Sequence, residues 1–202
     1  MNHRLEWCLD RNWLLAGARN PRDLATQVFA GVLHSLGAGR IDPPGYGPGL
    51  DSAGCLDLLQ RYFPLVALPV HASLCAVAGN AGRRSEFDEL VQLLLEYRAD
   101  GSEQTRWVAH AVASGCLGSD HLYADMGLPQ RSQLSQLLRE HFPALCLKNP
   151  DSAMKWKRFF YRQLCLGAEI SLCPAPGCQT CVDRQDCFVS ACADGTLDAQ
   201  AD

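Results

Sequence analysis

The chain has 202 residues, 48% of them apolar and 20% charged, which suits one globular domain with a sizeable core. A formal net charge of −4 and the lack of a basic run exclude an electrostatic nucleic-acid binder. No window reaches the roughly eighteen uncharged apolar residues of a membrane span. The opening Met1-Asn-His-Arg-Leu-Glu-Trp7 has no apolar core of a secretory signal, so the expected compartment is the cytoplasm, with thiols reduced.

Residues 1–19 read as an N-terminal segment. Asn20-Pro21-Arg22-Asp23 then predicts a helix start, with Asn20 as cap and proline in the first turn. Leu24, Val28, Phe29, Val32 and Leu33 recur at helical spacing and carry that helix to about Leu36. His34, near its end, reads as a half-exposed helix histidine that suits the C-terminal dipole. Glycines and three prolines make 37–52 a loop. Leu56, Leu58, Leu59, Tyr62 and Phe63 predict a short helix stopped by Pro64, with Cys55 packed inside.

Ser85-Glu-Phe-Asp88 resembles a capping box ahead of the apolar stripe Phe87, Leu90, Val91, Leu94 and Leu95. Ser102 opens the next helix, whose Trp107, Val108, Ala111 and Val112 face the core and which ends near Cys116. Asp120 is the expected cap of a short helix from His121 to Met126, closed by Gly127. Pro129 begins a helix with Leu134, Leu137, Leu138 and Phe142 inside, ended by Pro143. Asn149-Pro150 caps the last helix, expected from about Asp151 to Leu166. No alternating strand pattern of useful length occurs, so the predicted fold is all-α: one helical domain over 20–172.

Along that last helix Met154, Trp156, Phe159, Phe160 and Leu164 form an apolar face, and Lys155, Arg158 and Arg162 share another. Such a basic stripe is most often a solvated face. Its functional reading, together with Arg184, is an attraction for an oxyanion or compensation for an anionic cluster.

The stretch Cys173-Pro-Ala-Pro-Gly-Cys178-Gln-Thr-Cys181-Val-Asp-Arg-Gln-Asp-Cys187 follows, a C-x4-C-x2-C-x5-C pattern hanging from the helical domain. Its cysteines stand among proline, glycine and polar residues, unlike the apolar setting of packed cysteines, and Pro174, Pro176 and Gly177 shape a folded-back loop. This reads as a metal site. One continuous run of four thiols is nearer to iron–sulfur loops than to the two separated pairs of structural zinc. Disulfides rank last: the cysteine count of eleven is odd. Residues 188–202 read as a flexible tail, Cys192 included, whereas Cys165 reads as packed.

With these residues in view, the chain resembles the NifQ family. The resemblance rests on Cys116-Leu-Gly-Ser-Asp-His121-Leu-Tyr-Ala-Asp-Met-Gly-Leu128, His141-Phe-Pro143, Asn149, Met154-Lys-Trp-Lys-Arg-Phe-Phe-Tyr-Arg-Gln-Leu-Cys165 and the cysteine run ending in Cys187-Phe188. It covers roughly the second half in order, and is looser before Ser85. Tyr123 stands where the family pattern has tryptophan, so an aromatic is kept. The resemblance implies a non-enzymatic carrier of an iron–sulfur cluster, Fe4S4 or Mo-Fe3-S4, that donates molybdenum taken up as molybdate to the iron–molybdenum cofactor of nitrogenase. It implies the nitrogenase iron protein and the cofactor assembly scaffold as partners. Carried over by position, Cys173, Cys178, Cys181 and Cys187 are the cluster ligands, with Cys187 the first candidate for the molybdenum corner and His121 and Cys116 weaker ones. Two other readings stay open: an electron-transfer or redox-sensing iron–sulfur protein using the same cysteines, and a zinc-stabilised helical interaction module. A hydrolytic enzyme finds no support in the usual serine, zinc or phosphate-loop motifs.

Overall fold

The computed structural model describes residues 10–41, 47–66 and 83–167. Every regular element among the described residues is helical, with only an isolated bridge at Leu50, which agrees with the all-α expectation. None of the described helices is long and apolar enough to cross a membrane.

Helix α1 (Arg11–Ala16) lies inside the stretch expected to be an N-terminal segment; Asp10 caps it by accepting from the Trp13 amide at 2.9 Å. Its single turn and a half carries too little periodicity to be recognised in sequence. In α2 (Leu24–Gly37) the cap is Asp23 and not Asn20, because the Asp23 carboxylate takes both the amide and the hydroxyl of Thr26 at 2.9 Å. Asp51 caps α3 (Ser52–Tyr62).

Helix α4 (Arg84–Glu96) starts one residue before the expected box and has no side-chain cap. Ser85 turns to Glu89, and Arg83 holds Glu86 in its place. Ser102 caps α5 (Glu103–Cys116) as expected. This helix is buried almost all round from Trp107 to Cys116 except at His110, and it packs against α2 and α4 as the central rod of the core. Short α6 (Leu122–Asp125) follows, begun by His121 without a side-chain cap, and Gly127 closes it with φ of 67°.

Two further helices, α7 (Arg131–His141) and α8 (Pro143–Cys146), meet at Phe142. Proline 143 both ends the first and opens the second, as its missing N–H allows. The last helix, α9 (Trp156–Gly167), starts five residues later than Asp151. Asp151 and Ser152 adopt left-handed φ of 52° and 51°, which no α-helix can continue. Asn149 therefore does not cap α9. Its side chain brackets the turn instead, donating to the Met154 carbonyl and accepting from the Met154 amide, both at 3.0 Å.

The first half of the chain presses directly on α6. The Ser35 hydroxyl donates to the Asp125 carbonyl at 2.7 Å. At Gly31 a Cβ would lie 2.1 Å from the Met126 carbonyl oxygen, and one at Gly127 would lie 2.6 Å from the Gly31 Cα. Helix α2 and the turn after α6 thus touch backbone to backbone.

His110, on α5, stands edge-on against Phe87, near the Gly49 backbone. Burial, with the nearby charges of Arg106 and Arg84, pushes its pKa down from 6.5 to about 4, against the weaker upward pull of Gly49 and Asp88. Burial also lowers His141, which shares a 2.9 Å hydrogen bond with the Thr105 hydroxyl. Between the two values His110 stays neutral in the folded chain while the unfolded chain takes up a proton. The stability it supports is therefore complete above pH 6.5 and falls as the pH drops toward 4, by up to about 3 kcal/mol for this one group. Urea unfolding at a series of pH values should show that decline, and His110→Gln should flatten it.

Candidate functional site

Helix α9 brings an ammonium into the protein interior. Lys157 is 9% exposed, and its Nζ donates to the Gly118 carbonyl at 2.9 Å, the Asp120 carbonyl at 2.7 Å and the Asp125 carboxylate at 2.7 Å. Three donors meet three acceptors, all supplied by the segment that links α5 to α6. The same Asp125 oxygen accepts from the Asp120 amide at 3.1 Å, which curls the segment around the ammonium. Burial holds the Asp125 carboxyl above its ordinary value, and the adjacent Lys157 offsets only part of that rise.

A second network ties α9 to α4. Arg83 forms a two-pronged pair with Glu86 at 2.8 and 2.9 Å and donates to the Leu117 carbonyl at 2.7 Å. The Tyr161 hydroxyl, one turn beyond Lys157, donates to Glu86 Oε1, the oxygen that also accepts from Arg83 Nη2. Burial works against the Glu86 charge, yet the bonds from Arg83 and Tyr161 outweigh it and hold the carboxyl below its ordinary value. Tyr161 is driven upward by burial, by Cys116 and by Glu86.

Cys116 feels both networks. It is fully buried, and burial pushes its thiol up to about 12, with Lys157 and Arg83 opposing and Asp125 and Glu86 reinforcing. It is a protonated thiol at the foot of the segment. His121 stands at the start of α6, half-buried, its ring stacked on Tyr123 with centroids 5.8 Å apart. The fold thus places Cys116 and His121 at the two ends of the 116–121 turn that Lys157 organises. Cys55, Cys116, Cys146 and Cys165 form no disulfide, and Cys55 and Cys165 are packed as expected.

Of the basic stripe, Lys155 and Arg158 are half-buried and Arg162 is exposed. Cys173, Cys178, Cys181, Cys187 and Arg184 lie outside the described residues. Among the described residues no three His, Cys, Asp or Glu side chains come together as a metal site.

Sequence reading missed Lys157, Asp125, Arg83, Glu86 and Tyr161. One signal was available: Lys157 falls in phase with Phe160, Tyr161 and Leu164 rather than with the basic stripe. A lysine on an apolar face requires buried acceptors. Their identity depends on the 118–125 turn, which helical periodicity does not reveal.

Removing one partner of a buried pair strands the other, at a cost of about 3–5 kcal/mol. Lys157→Met should therefore destabilise the chain by that amount, and Asp125→Asn should cost less in the Lys157→Met background than alone. A double-mutant cycle by urea unfolding measures the coupling. Additive losses would show that the two side chains act independently.

The family model described as NifQ matches residues 28–189, a range that takes in the Lys157 centre and all four cysteines of the 173–187 run. Protein NifQ of Azotobacter vinelandii is 38% identical over 149 residues, 69% of this chain and 76% of that protein. A NifQ homolog of Sinorhizobium fredii is 36% identical, over 70% of this chain and 60% of its own length. Protein NifQ of Rhodobacter capsulatus is 35% identical, over 69% of this chain and 74% of its own length. No solved structure matches significantly. The match over most of the chain, shared with relatives above one-third identity, places it plainly: the chain belongs to the NifQ family.

Proposed function

We propose that this chain takes part in nitrogenase cofactor biosynthesis as a carrier that receives molybdenum and hands it on, without turnover chemistry of its own. The observation that carries the reading is the C-x4-C-x2-C-x5-C run lying within the family match. Cys173, Cys178, Cys181 and Cys187 form a soft donor set that suits iron, and they would hold an iron–sulfur cluster, Fe4S4 or Mo-Fe3-S4. Bound there, the cluster supplies sulfide and electrons for capturing molybdenum, which arrives as the hard oxyanion molybdate. The residues 20–172 serve as the body that carries the 173–187 loop.

Within that body, the chain's own part is attachment and charge. Lys157 and Tyr161 fix α9, whose C-terminal end leads toward Cys173. Lys155, Arg158 and Arg162 give the helix a basic side, with Arg184 in the loop adding one more cation. These cations favour an incoming oxyanion and a partner of opposite charge, for which the nitrogenase iron protein and the cofactor scaffold are the candidates. His121 and Cys116 remain the candidates in the body for a further contact to the metal. A cytoplasmic setting completes the proposal.

Metal analysis of protein purified without oxygen from molybdate-fed cells, with visible and EPR spectra, tests it. The expected result is iron at about three or four per chain with up to one molybdenum. Iron that never accompanies molybdenum would favour an electron carrier, and zinc in colourless protein a structural module. Cys178→Ala or Cys181→Ala should abolish iron binding while the helical circular dichroism persists, because the described core is built from residues between Leu14 and Tyr161, upstream of the loop. Arg158→Glu combined with Arg162→Glu should lower molybdenum loading and leave iron in place; equal loading would return that stripe to a solvated face.

A further inference from the structure

On the side of the molecule formed by α7, α8 and the turn before α9 lies an open groove of about 890 Å³. Arg131, Ser135 and Arg139 recur at every fourth position of α7 and so form one stripe along its wall. Arg131 donates through Nη2 to the carbonyls of Ser152 and Met154 at 2.8 and 3.1 Å, and Arg139 donates through Nε to the Ser135 carbonyl at 3.0 Å. Every acceptor is neutral. Among the described residues neither guanidinium pairs with a carboxylate, and the lining holds a single one, Asp151. Arg131 is anchored across to the next turn while Arg139 bends back on its own helix; Arg139 keeps its terminal nitrogens, and Arg131 keeps Nη1 and Nε.

The remaining wall suits an anion. Ser135 accepts from the Trp156 indole N–H at 2.9 Å and shares a hydrogen with Ser152 at 3.2 Å, so an apolar ring is held beside a pair of hydroxyls. Cys146 presents a neutral thiol, since burial pushes it up to about 11 against the opposing charge of Arg139. At the rim, Asp151 and Ser152 keep their left-handed backbone, a conformation that costs energy in non-glycine residues and that clusters at binding sites. Arg131 is tied to the turn before α9 and Arg139, exposed, bends back along its own helix, and guanidinium groups favour planar, multidentate recognition of oxyanions.

We propose that this groove binds a tetrahedral oxyanion, either free or carried as a phosphomonoester whose organic part lies along the apolar wall. The site stands apart from the cysteine run and does not depend on the donor reading. The test uses the full chain at low ionic strength, where screening is weak. Molybdate, sulfate, inorganic phosphate and phenyl phosphate are titrated by calorimetry with chloride as control. In parallel, the rate at which N-ethylmaleimide alkylates Cys146 is followed by peptide mass analysis.

The expected result is saturable binding of at least one probe that slows Cys146 alkylation threefold or more. Arg139→Gln should weaken it at least tenfold at unchanged melting temperature, with Arg139→Lys intermediate. Phenyl phosphate bound tenfold tighter than phosphate identifies the esterified source. Free ions bound as well or better identify the unesterified one, and a preference for molybdate over sulfate would support the donor reading as well. Equal affinity for molybdate and sulfate leaves the groove proposal supported while removing its link to molybdenum. Absence of saturable binding for all four probes, or binding unchanged in Arg139→Gln, overturns the proposal.

Discussion

An ammonium group buried in a helical protein has to be surrounded by acceptors, and Lys157 imposes that requirement on everything near it. Its three partners come from one short segment, residues 118–125, and from both backbone and side chain. A carboxylate alone would leave two N–H groups unsatisfied in a low-dielectric interior, at a cost of roughly 1–3 kcal/mol each. The segment therefore has to curl, with the carbonyls of Gly118 and Asp120 turned inward. That curl fixes where Cys116 ends one helix and where His121 begins the next. Two of the stretches that carry the resemblance, 116–128 and 154–165, supply the two sides of this one contact.

The same helix is held from a second direction. Tyr161 reaches Glu86, which Arg83 grips, and Arg83 in turn satisfies the Leu117 carbonyl at the end of α5. Two polar ties one turn apart, with Phe159, Phe160 and Trp156 packed between and around them, leave α9 little freedom to rotate or slide. Burying each of those aromatic rings contributes roughly 1.5–3 kcal/mol, but apolar packing by itself tolerates small shifts. The hydrogen bonds set the register. A fixed register defines where α9 ends, at Gly167, six residues before the cysteine run begins in the sequence.

Helical periodicity made most of the fold readable before any coordinates. The apolar stripes of α2, α4, α5 and α7 lie where Leu33, Leu90, Val108 and Leu134 predict, and the Ser102 cap and the Gly127 stop are as expected. The errors fall at starts. Asn20, Ser85 and Asn149 each have the right chemistry for a cap, but Asp23, Arg83 and the left-handed pair at 151–152 settle the geometry. Cap choice depends on which of several polar residues the backbone turns toward the helix, and composition does not encode that direction. The polar centre was harder still. Lys157 shows only a phase mismatch, while Asp125 and Glu86 look like ordinary surface acids until tertiary contacts bury them. The cysteine run is read from its spacing alone, and it lies outside the described residues.

The contact between Gly31 and the turn at Met126–Gly127 acts as a thickness gauge for this arrangement. Because neither residue carries a side chain, α2 lies one backbone away from the Lys157 cage, and the Ser35 hydroxyl reaches the Asp125 carbonyl from there. A methyl group on either glycine would act as a spacer and move the whole helix outward, since a carbonyl oxygen and a Cα cannot rotate aside as a side chain can. The cage would then lose its outer wall although none of its own residues had changed. A side chain at Gly31, far along the chain from Lys157, would thus disturb the cage for a steric reason rather than an electrostatic one.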